Sequence, residues 1–354
     1  VSTDSIKQAD IDAAAHALMV GDLVAFPTET VYGLGADAAS TDAVAGIYAA
    51  KGRPSNHPVI VHVAQPQDMQ AWCRDIPKQA FMLAQAFWPG PLTLILKRDE
   101  SVAATVSGGQ DTIGVRCPSH PTAQALLKAF ADLKAAAGLK RAGVAAPSAN
   151  RFGRVSPTRA EHVRSEFTDL VAHGLIVLDG GNSEVGIEST IIDLSGVESG
   201  GSVALLRPGA ISADDIAAVL SCLVVGQTEQ SPRVSGSLKA HYAPNTRLTL
   251  CAPTILQASV QRWLKVNEGR VAVMTTKPLT LVDTRIEMVQ MPGAPTAYAR
   301  DLYATLRRID DYGVNAVFAE QVPDDLAWAG VRDRLSRAAA AFEFDRDARR
   351  ERQK

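Results

Sequence analysis

Cysteine is scarce in this chain and nowhere paired. Cys73, Cys117, Cys222 and Cys251 are scattered with no C-x-x-C spacing, which excludes a zinc ribbon and a disulfide framework and suits a reducing compartment. Aromatic residues are only 5%, few for a surface that stacks bases. Neither sign of charge dominates: the formal net charge is -2, so any polyanion bound is expected to be small and held in a local basic cleft. No run approaches the ~18 apolar residues of a membrane helix, and the opening VSTDSIKQAD has neither a basic nor an apolar leader segment, so a cytoplasmic location is expected. Paired carboxylates, a Ser-His-Asp order and a Walker A motif are all missing.

What is present is the composition of a globular protein, 46% hydrophobic and 21% charged, in a chain of 354 residues, longer than one core usually organises. Ile11, Ala14, Ala15 and Leu18 fall at helical spacing before Gly21, and "LVAF" at 23–26 reads as a short buried strand. A second helix at 42–50 leads into "KGRP". Strands are expected at 59–63, 92–96, 113–116, 175–178, 189–194 and 203–206, with helices at 78–88, 121–134 and 159–168 between them. This alternation predicts an α/β layer structure. The polar stretch 226–246, rich in Gly, Ser and Pro, reads as a linker or lid. Beyond it "RLTLC", "RVAVM", "IEMVQ" and "NAVFAE" alternate with helical patterns, predicting a smaller α/β domain at 247–345 after a larger one at 1–225. The end, 346–354, reads as a charged, frayed tail.

Polar residues gather where strands end. In "FPTETVYGLG", Thr28, Thr30 and Tyr32 alternate and would share one side of an extended segment, while Gly33 and Gly35 allow close approach or a positive φ. Gly33, Gly35 and Ala38 match G-x-G-x-x-A, but six residues part Phe26 from Gly33 and the next strand ends without an acid, so the match carries little weight. Lys51 and Arg53 follow a helix end, where cations commonly complement the dipole. His62 sits among valines, the setting of a structural histidine, and no second histidine at helical spacing suggests zinc. Arg116, at a strand end, needs an anion: either a structural carboxylate such as Asp193 or a substrate carboxylate. Ser148, Asn150 and Ser156 suit turns; Ser189 and Arg207 sit at further strand ends; His241 and Tyr242 lie in the linker. Cations and hydroxyls without matching acids suit the holding of phosphates and carboxylates by position and fixed charge, not nucleophilic catalysis.

Taken in order, "PTETVYGLG", "KGRP" with "HPVIVHV", "FWPGPLTLIL", "IGVRCPSHP", "APSAN", "GIESTIIDL", "LRPGAI" and "HYAP" resemble the YrdC/Sua5 family over about 8–246, and "RDRLSRAA" marks a Sua5-type C-terminal domain. The resemblance implies a YrdC-like twisted mixed sheet with flanking helices and a smaller Rossmann-like α/β domain. It also implies a nucleotidyltransferase that makes L-threonylcarbamoyl-AMP and pyrophosphate from L-threonine, bicarbonate and ATP, for threonylcarbamoyladenosine formation in tRNA. By the same resemblance, Lys51, Arg53, Ser148 and Asn150 cradle the nucleotide phosphates, with His57, Thr112, Ser156 and Arg207 as further ATP contacts and Tyr242 closing over them. Thr30, His62, Arg116 and Ser189 form the threonine site. Lys51 and Arg53 act electrostatically, no general base is assigned, magnesium comes with ATP and is held mainly by its phosphates, and a tRNA-modifying complex takes the product. Two rival readings are a carbamoyl-adenylate-forming module of the hydrogenase-maturation type, whose accessory segments are missing here, and a noncatalytic RNA-binding protein.

Overall fold

A computed structural model describes residues 7–351, with side chains through 343. The expectation for the tail at 346–354 concerns side chains outside the described residues. The chain divides into two compact units: one runs to Phe152 and resumes over Ser156–Ser237, and the other comprises Gly153–Val155 and the residues from Leu238 onward. The polar stretch 226–246 is thus shared between them. Among the described residues no helix is long and apolar enough to cross a membrane.

The first unit comprises α1 (Gln8–Val20), β1 (Val24–Phe26), β2 (Gly33–Asp37), α2 (Thr41–Lys51), β3 (Ile60–His62), α3 (Lys78–Phe87), β4 (Leu92–Lys97), β5 (Thr112–Arg116), α4 (Pro121–Ala136), β6 (Val144–Ala145), α5 (Ala160–Glu166), α6 (Thr168–Ala172), β7 (Ile176–Val177), β8 (Thr190–Asp193), β9 (Val203–Arg207), α7 (Ala213–Leu220) and β10 (Val224–Gly226). Its strands form a mixed sheet in the order β10-β9-β8-β4-β5-β3-β6-β2-β1-β7. The second unit has β11 (Leu248–Cys251), α8 (Pro253–Val266), β12 (Val271–Thr275), β13 (Ile286–Gln290), α9 (Pro295–Asp311), β14 (Ala316–Glu320) and α10 (Ala329–Glu351). Its sheet, β11-β14-β12-β13, is parallel throughout.

Side-chain alternation decides which face of the large sheet can hold a site. Val61, Leu92, Leu94, Leu96, Ile113, Val115 and Ala145 point into one core together with Leu83 of α3 and Ile47 of α2. The alternate residues Ile60, His62, Thr93, Ile95, Thr112, Gly114 and Arg116 therefore face the other way. On that second face α1 and α4 cover the end near β1 and β6, packing Leu18, Leu126 and Phe130 on Phe26 and Val144. Over β3, β5, β4 and β8 the cover is Val234, packed with Ile60, Ile95 and Ile191.

Two expectations for "FPTETVYGLG" change. Gly33 and Gly35 lie in a strand, β2, paired antiparallel with β1, and neither adopts a positive φ. Their service is close approach: a Cβ on Gly35 would stand 2.7 Å from both Phe26 Cε1 and Val144 Cγ1. Nor are residues 28–32 extended. Thr28 Oγ1 caps its own turn, accepting from Thr30 N at 3.3 Å and Val31 N at 3.2 Å, so Thr28 and Thr30 converge. Tyr32 is sent elsewhere, packed with Leu34, Val163 and Phe167, its hydroxyl donating to Gly181 O at 2.7 Å. Replacing Gly35 with Ala is expected to cost about 1–3 kcal/mol by overpacking. Denaturant unfolding checks this, and an unchanged midpoint would contradict the packing described.

Candidate active site

Lys51 closes α2, which Ser40 starts by accepting from Ala43 N and which ends on Gly52 at φ +60°. Its position in the last turn suits the helix dipole, yet the side chain turns inward and is 3% exposed. The ammonium donates to Ser148 O at 2.6 Å and to Asn150 O, while Phe152 N returns a bond to Lys51 O at 2.8 Å. Burial, and secondarily Arg53, hold its pKa well below the ordinary lysine range, with Glu166 working the other way. Lys51, Ser148 and Asn150 are therefore one cluster, as their motifs implied.

Arg53 follows the helix cap and is also buried. Its Nη2 donates to Pro58 O at 2.7 Å and to Ser235 Oγ at 2.9 Å, and its guanidinium lies 6.0 Å from the Phe152 ring centroid. The His57 ring packs edge-on to Phe152 at 5.3 Å. Burial, then Arg53 and Arg233, lower the His57 pKa, so it is neutral near pH 7. At the end of β9, Arg207 donates through Nε to Ser189 O and Nη2 to Ser189 Oγ, both at 3.0 Å, and through Nη1 to Ser235 O at 2.8 Å. Arg53 and Arg207 thus meet on Ser235. Ser189 Oγ, which accepts from Arg207, also lies 2.8 Å from Thr93 Oγ1, within hydrogen-bond distance. Ser156 donates to Glu188 Oε1 at 2.6 Å, one residue from Ser189. Thr112 borders the same face as Gly114, Ile95, Val234 and Ser235.

The other cluster lies at the ends of β3 and β5, where His62 and Arg116 are register partners. Arg116 is 4% exposed; its Nη1 donates to Thr30 Oγ1 at 2.9 Å and its Nε to Gly90 O at 3.3 Å. Thr28 Oγ1 donates to Val31 O at 2.6 Å. Because its one proton goes to that carbonyl, the 2.8 Å bond between Thr28 and Thr30 must be donated by Thr30, which in turn accepts from Arg116. The carboxylate beside Arg116 is Glu29, with Oε1 2.7 Å from Nη2, and not the suggested Asp193, which accepts from Ser195 instead. His62 is buried, and burial first and Arg116 second push its pKa down to about 3. It is neutral at physiological pH. Gly90 and Glu29 therefore join Thr30, His62 and Arg116 in one corner.

Tyr242 is placed in the second unit, 1% exposed, with φ +62°, which is unusual for a bulky residue. Its ring centroid is 5.5 Å from the Arg334 guanidinium carbon and 5.7 Å from that of Tyr303. Sequence reasoning missed Glu29, Thr93, Glu188 and Ser235 as members of these clusters. Glu29 and Glu188 were visible inside their motifs, but each borders a hydroxyl residue that drew the reading. Thr93 was concealed in an apolar strand, and Ser235 in a stretch with no pattern. Among the described residues no group of three or more His, Cys, Asp or Glu could hold a metal ion.

Comparison with known proteins is consistent with this geometry. The Sua5/YciO/YrdC family model, described as telomere recombination, matches residues 16–209, and the model of the threonylcarbamoyl-AMP synthase C-terminal domain matches 211–340. The threonylcarbamoyl-AMP synthase of Bacillus subtilis is 37% identical over 349 residues, covering 95% of each chain. That of Pyrococcus abyssi is 34% identical over 347 residues, covering 95% of this chain and 96% of its own. The crystal structure of P. abyssi Sua5 complexed with L-threonine superposes with a TM-score of 0.83 at 34% identity, over 96% of both chains. A double variant of the same archaeal protein gives 0.83 at 32% identity, over 96% of this chain and 95% of that one. With both parts matched and relatives aligned nearly end to end, the chain belongs to the Sua5/YciO/YrdC family in its two-domain, threonylcarbamoyl-AMP synthase form.

Proposed function

We infer that this chain makes L-threonylcarbamoyl-AMP and pyrophosphate from L-threonine, bicarbonate and ATP, the first step of threonylcarbamoyladenosine formation in tRNA. One observation carries the reading. Among the described residues of the first unit, Lys51, Arg53, Arg116, Lys134 and Arg207 are buried against only three buried carboxylates, Glu29, Asp37 and Glu188. Lys134 and Asp37 neutralise each other away from these clusters. The remaining buried basic groups outnumber the acids: Arg53 and Arg207 meet on Ser235, Lys51 lies with Ser148 and Asn150, and Arg116 with Thr30 and Glu29, an inventory that suits a polyanion and an amino acid.

In this reading Arg116 holds the threonine carboxylate, with Thr30, His62 and Ser189 around the side chain, and Lys51, Arg53 and Arg207 face the phosphates. Ser148, Asn150, Ser156, Thr112 and His57 complete the nucleotide contacts. Phosphate oxygens replace Ser235 on the two arginines when ATP binds. The uncharged amine of threonine attacks the carbon of bicarbonate, and water leaves. A carbamate oxygen then attacks the α-phosphorus and pyrophosphate departs. Two anions meet in that step, so fixed cations contribute where charge builds up. The described side chains supply no carboxylate cage for magnesium. Magnesium therefore accompanies ATP on its phosphates, and no step is assigned to it. The product passes to a tRNA-modifying complex, and the enzyme works in the cytoplasm.

Pyrophosphate release from ATP is expected to require threonine, with serine a poorer substitute; equal release without an amino acid would overturn the assignment. Lys51→Ala or Arg53→Ala is expected to lower turnover on the order of 10²-fold or more, much more than His57→Ala or His62→Gln, in the same assay. His62 also predicts a stability profile. Its folded pKa, about 3, lies below the ordinary 6.5, so its contribution is complete above pH 6.5 and is lost as pH falls toward 3. Denaturant midpoints measured from pH 7 to 4 are expected to fall less steeply in His62→Gln than in the parent, and parallel curves would contradict the neutral, buried imidazole.

A further inference from the structure

Glu29 is an anomaly in the threonine corner. It is 4% exposed, and neither of its carboxylate oxygens has a hydrogen-bond partner among the described residues. The 2.7 Å approach to Arg116 Nη2 is a contact of charges without hydrogen-bond alignment, and Nη2 itself has no hydrogen-bond partner among the described residues. A buried carboxylate ordinarily collects several donors, because it gives up its water on burial. This one has a neighbour and no donors.

The backbone shows that the position is not slack. Val185 N donates to Glu29 O at 2.7 Å, Ser183 Oγ to Thr28 O at 3.0 Å, and Tyr32 N to Pro157 O at 2.8 Å. The Thr28 turn fixes residues 28–31 from within. Glu29 is therefore held in place on a rigid turn, with its acceptors facing Arg116 and left unused.

An α-amino acid carries an ammonium and a carboxylate two bonds apart. If Arg116 holds the carboxylate, as the proposed function has it, the ammonium brings three N–H donors to the neighbourhood of Glu29. Binding then exchanges one misaligned internal pair for two aligned ones. We propose that Glu29 receives the α-amino group of threonine, as its counter-charge on binding and as the acceptor of its proton before carbamate formation. This rests on the functional reading above and supplies the proton acceptor which that reading leaves unnamed.

The step balances. The ammonium gives one proton to Glu29 Oε, and the freed nitrogen lone pair forms the N–C bond to bicarbonate. The hydroxyl of bicarbonate leaves with the second amine proton as water, giving the carbamate. Glu29, now neutral, returns its proton to solvent as product leaves. Neutralising Glu29 at that moment also leaves the Arg116 charge wholly to the carboxylate, which holds the intermediate in place.

The test compares L-threonine with 2,3-dihydroxybutanoate of the same configuration, in which a hydroxyl replaces the amine, by calorimetric titration of the full-length protein. The parent is expected to prefer threonine by about tenfold or more, the range for a hydrogen bond to a charged group. In Glu29→Gln the threonine affinity is expected to fall toward that of the analogue while analogue binding stays within about twofold, and turnover at saturating threonine to drop about 10²-fold. Glu29→Asp keeps the charge beside Arg116 and shortens its reach, so it is expected to show the same loss of preference in milder form should the amide variant fail to fold. A folded Glu29→Gln that keeps the parental preference and turnover overturns the proposal. So does an equal loss of both ligands, which would mark Glu29 as a mere counter-ion of Arg116. A parent that binds threonine and releases pyrophosphate yet does not discriminate against the analogue overturns the role of Glu29 alone, whereas a parent inert to threonine overturns the functional reading with it.

Discussion

The Lys51 side chain, buried and shared between the carbonyls of Ser148 and Asn150, is the contact on which the architecture at the end of α2 depends. It ties the end of α2 to the turn after β6, and Phe152 N closes the link from the other side. Without it that turn would carry two inward carbonyls lacking their donor, and the arginine beyond Gly52 would lose its fixed starting point. A lysine held this way is already desolvated and fixed in direction.

At the ends of β3 and β5 the organising device is directional. The Val31 carbonyl can only accept, so it takes the Thr28 proton, Thr28 takes that of Thr30, and Thr30 accepts from Arg116. Three side chains are ordered between one carbonyl and one guanidinium. Neutral His62 adds bulk and a ring nitrogen beside it without adding charge. The acid in this corner, Glu29, is in charge contact with Arg116 and makes no aligned hydrogen bond to it.

Serine residues knit Arg53 and Arg207 into one cluster. Ser189 accepts from Arg207, faces Thr93 and follows Glu188, which takes the Ser156 proton; Ser235 joins Arg207 to Arg53. The connection joins Thr93 of β4 and Arg207 of β9 to loop residues at 156, 188, 189 and 235, so strand ends and the loops beside them together bring side chains from distant sequence positions to one place.

From its residues alone the chain declared an α/β architecture, the order of its motifs and the chemistry of cations and hydroxyls at strand ends, because hydrophobic periodicity and turn residues are local properties. What a sequence lacks is the neighbour. Gly33 and Gly35 lie in a strand because β1 pairs with them, and Phe26 and Val144 leave no room for a Cβ at Gly35. Tyr32 left the hydroxyl row because the turn is closed by Thr28, and Arg116 found Glu29 and not Asp193. Each outcome depends on which groups a distant segment places within about 3 Å, and that distance is set by the packing of the whole sheet.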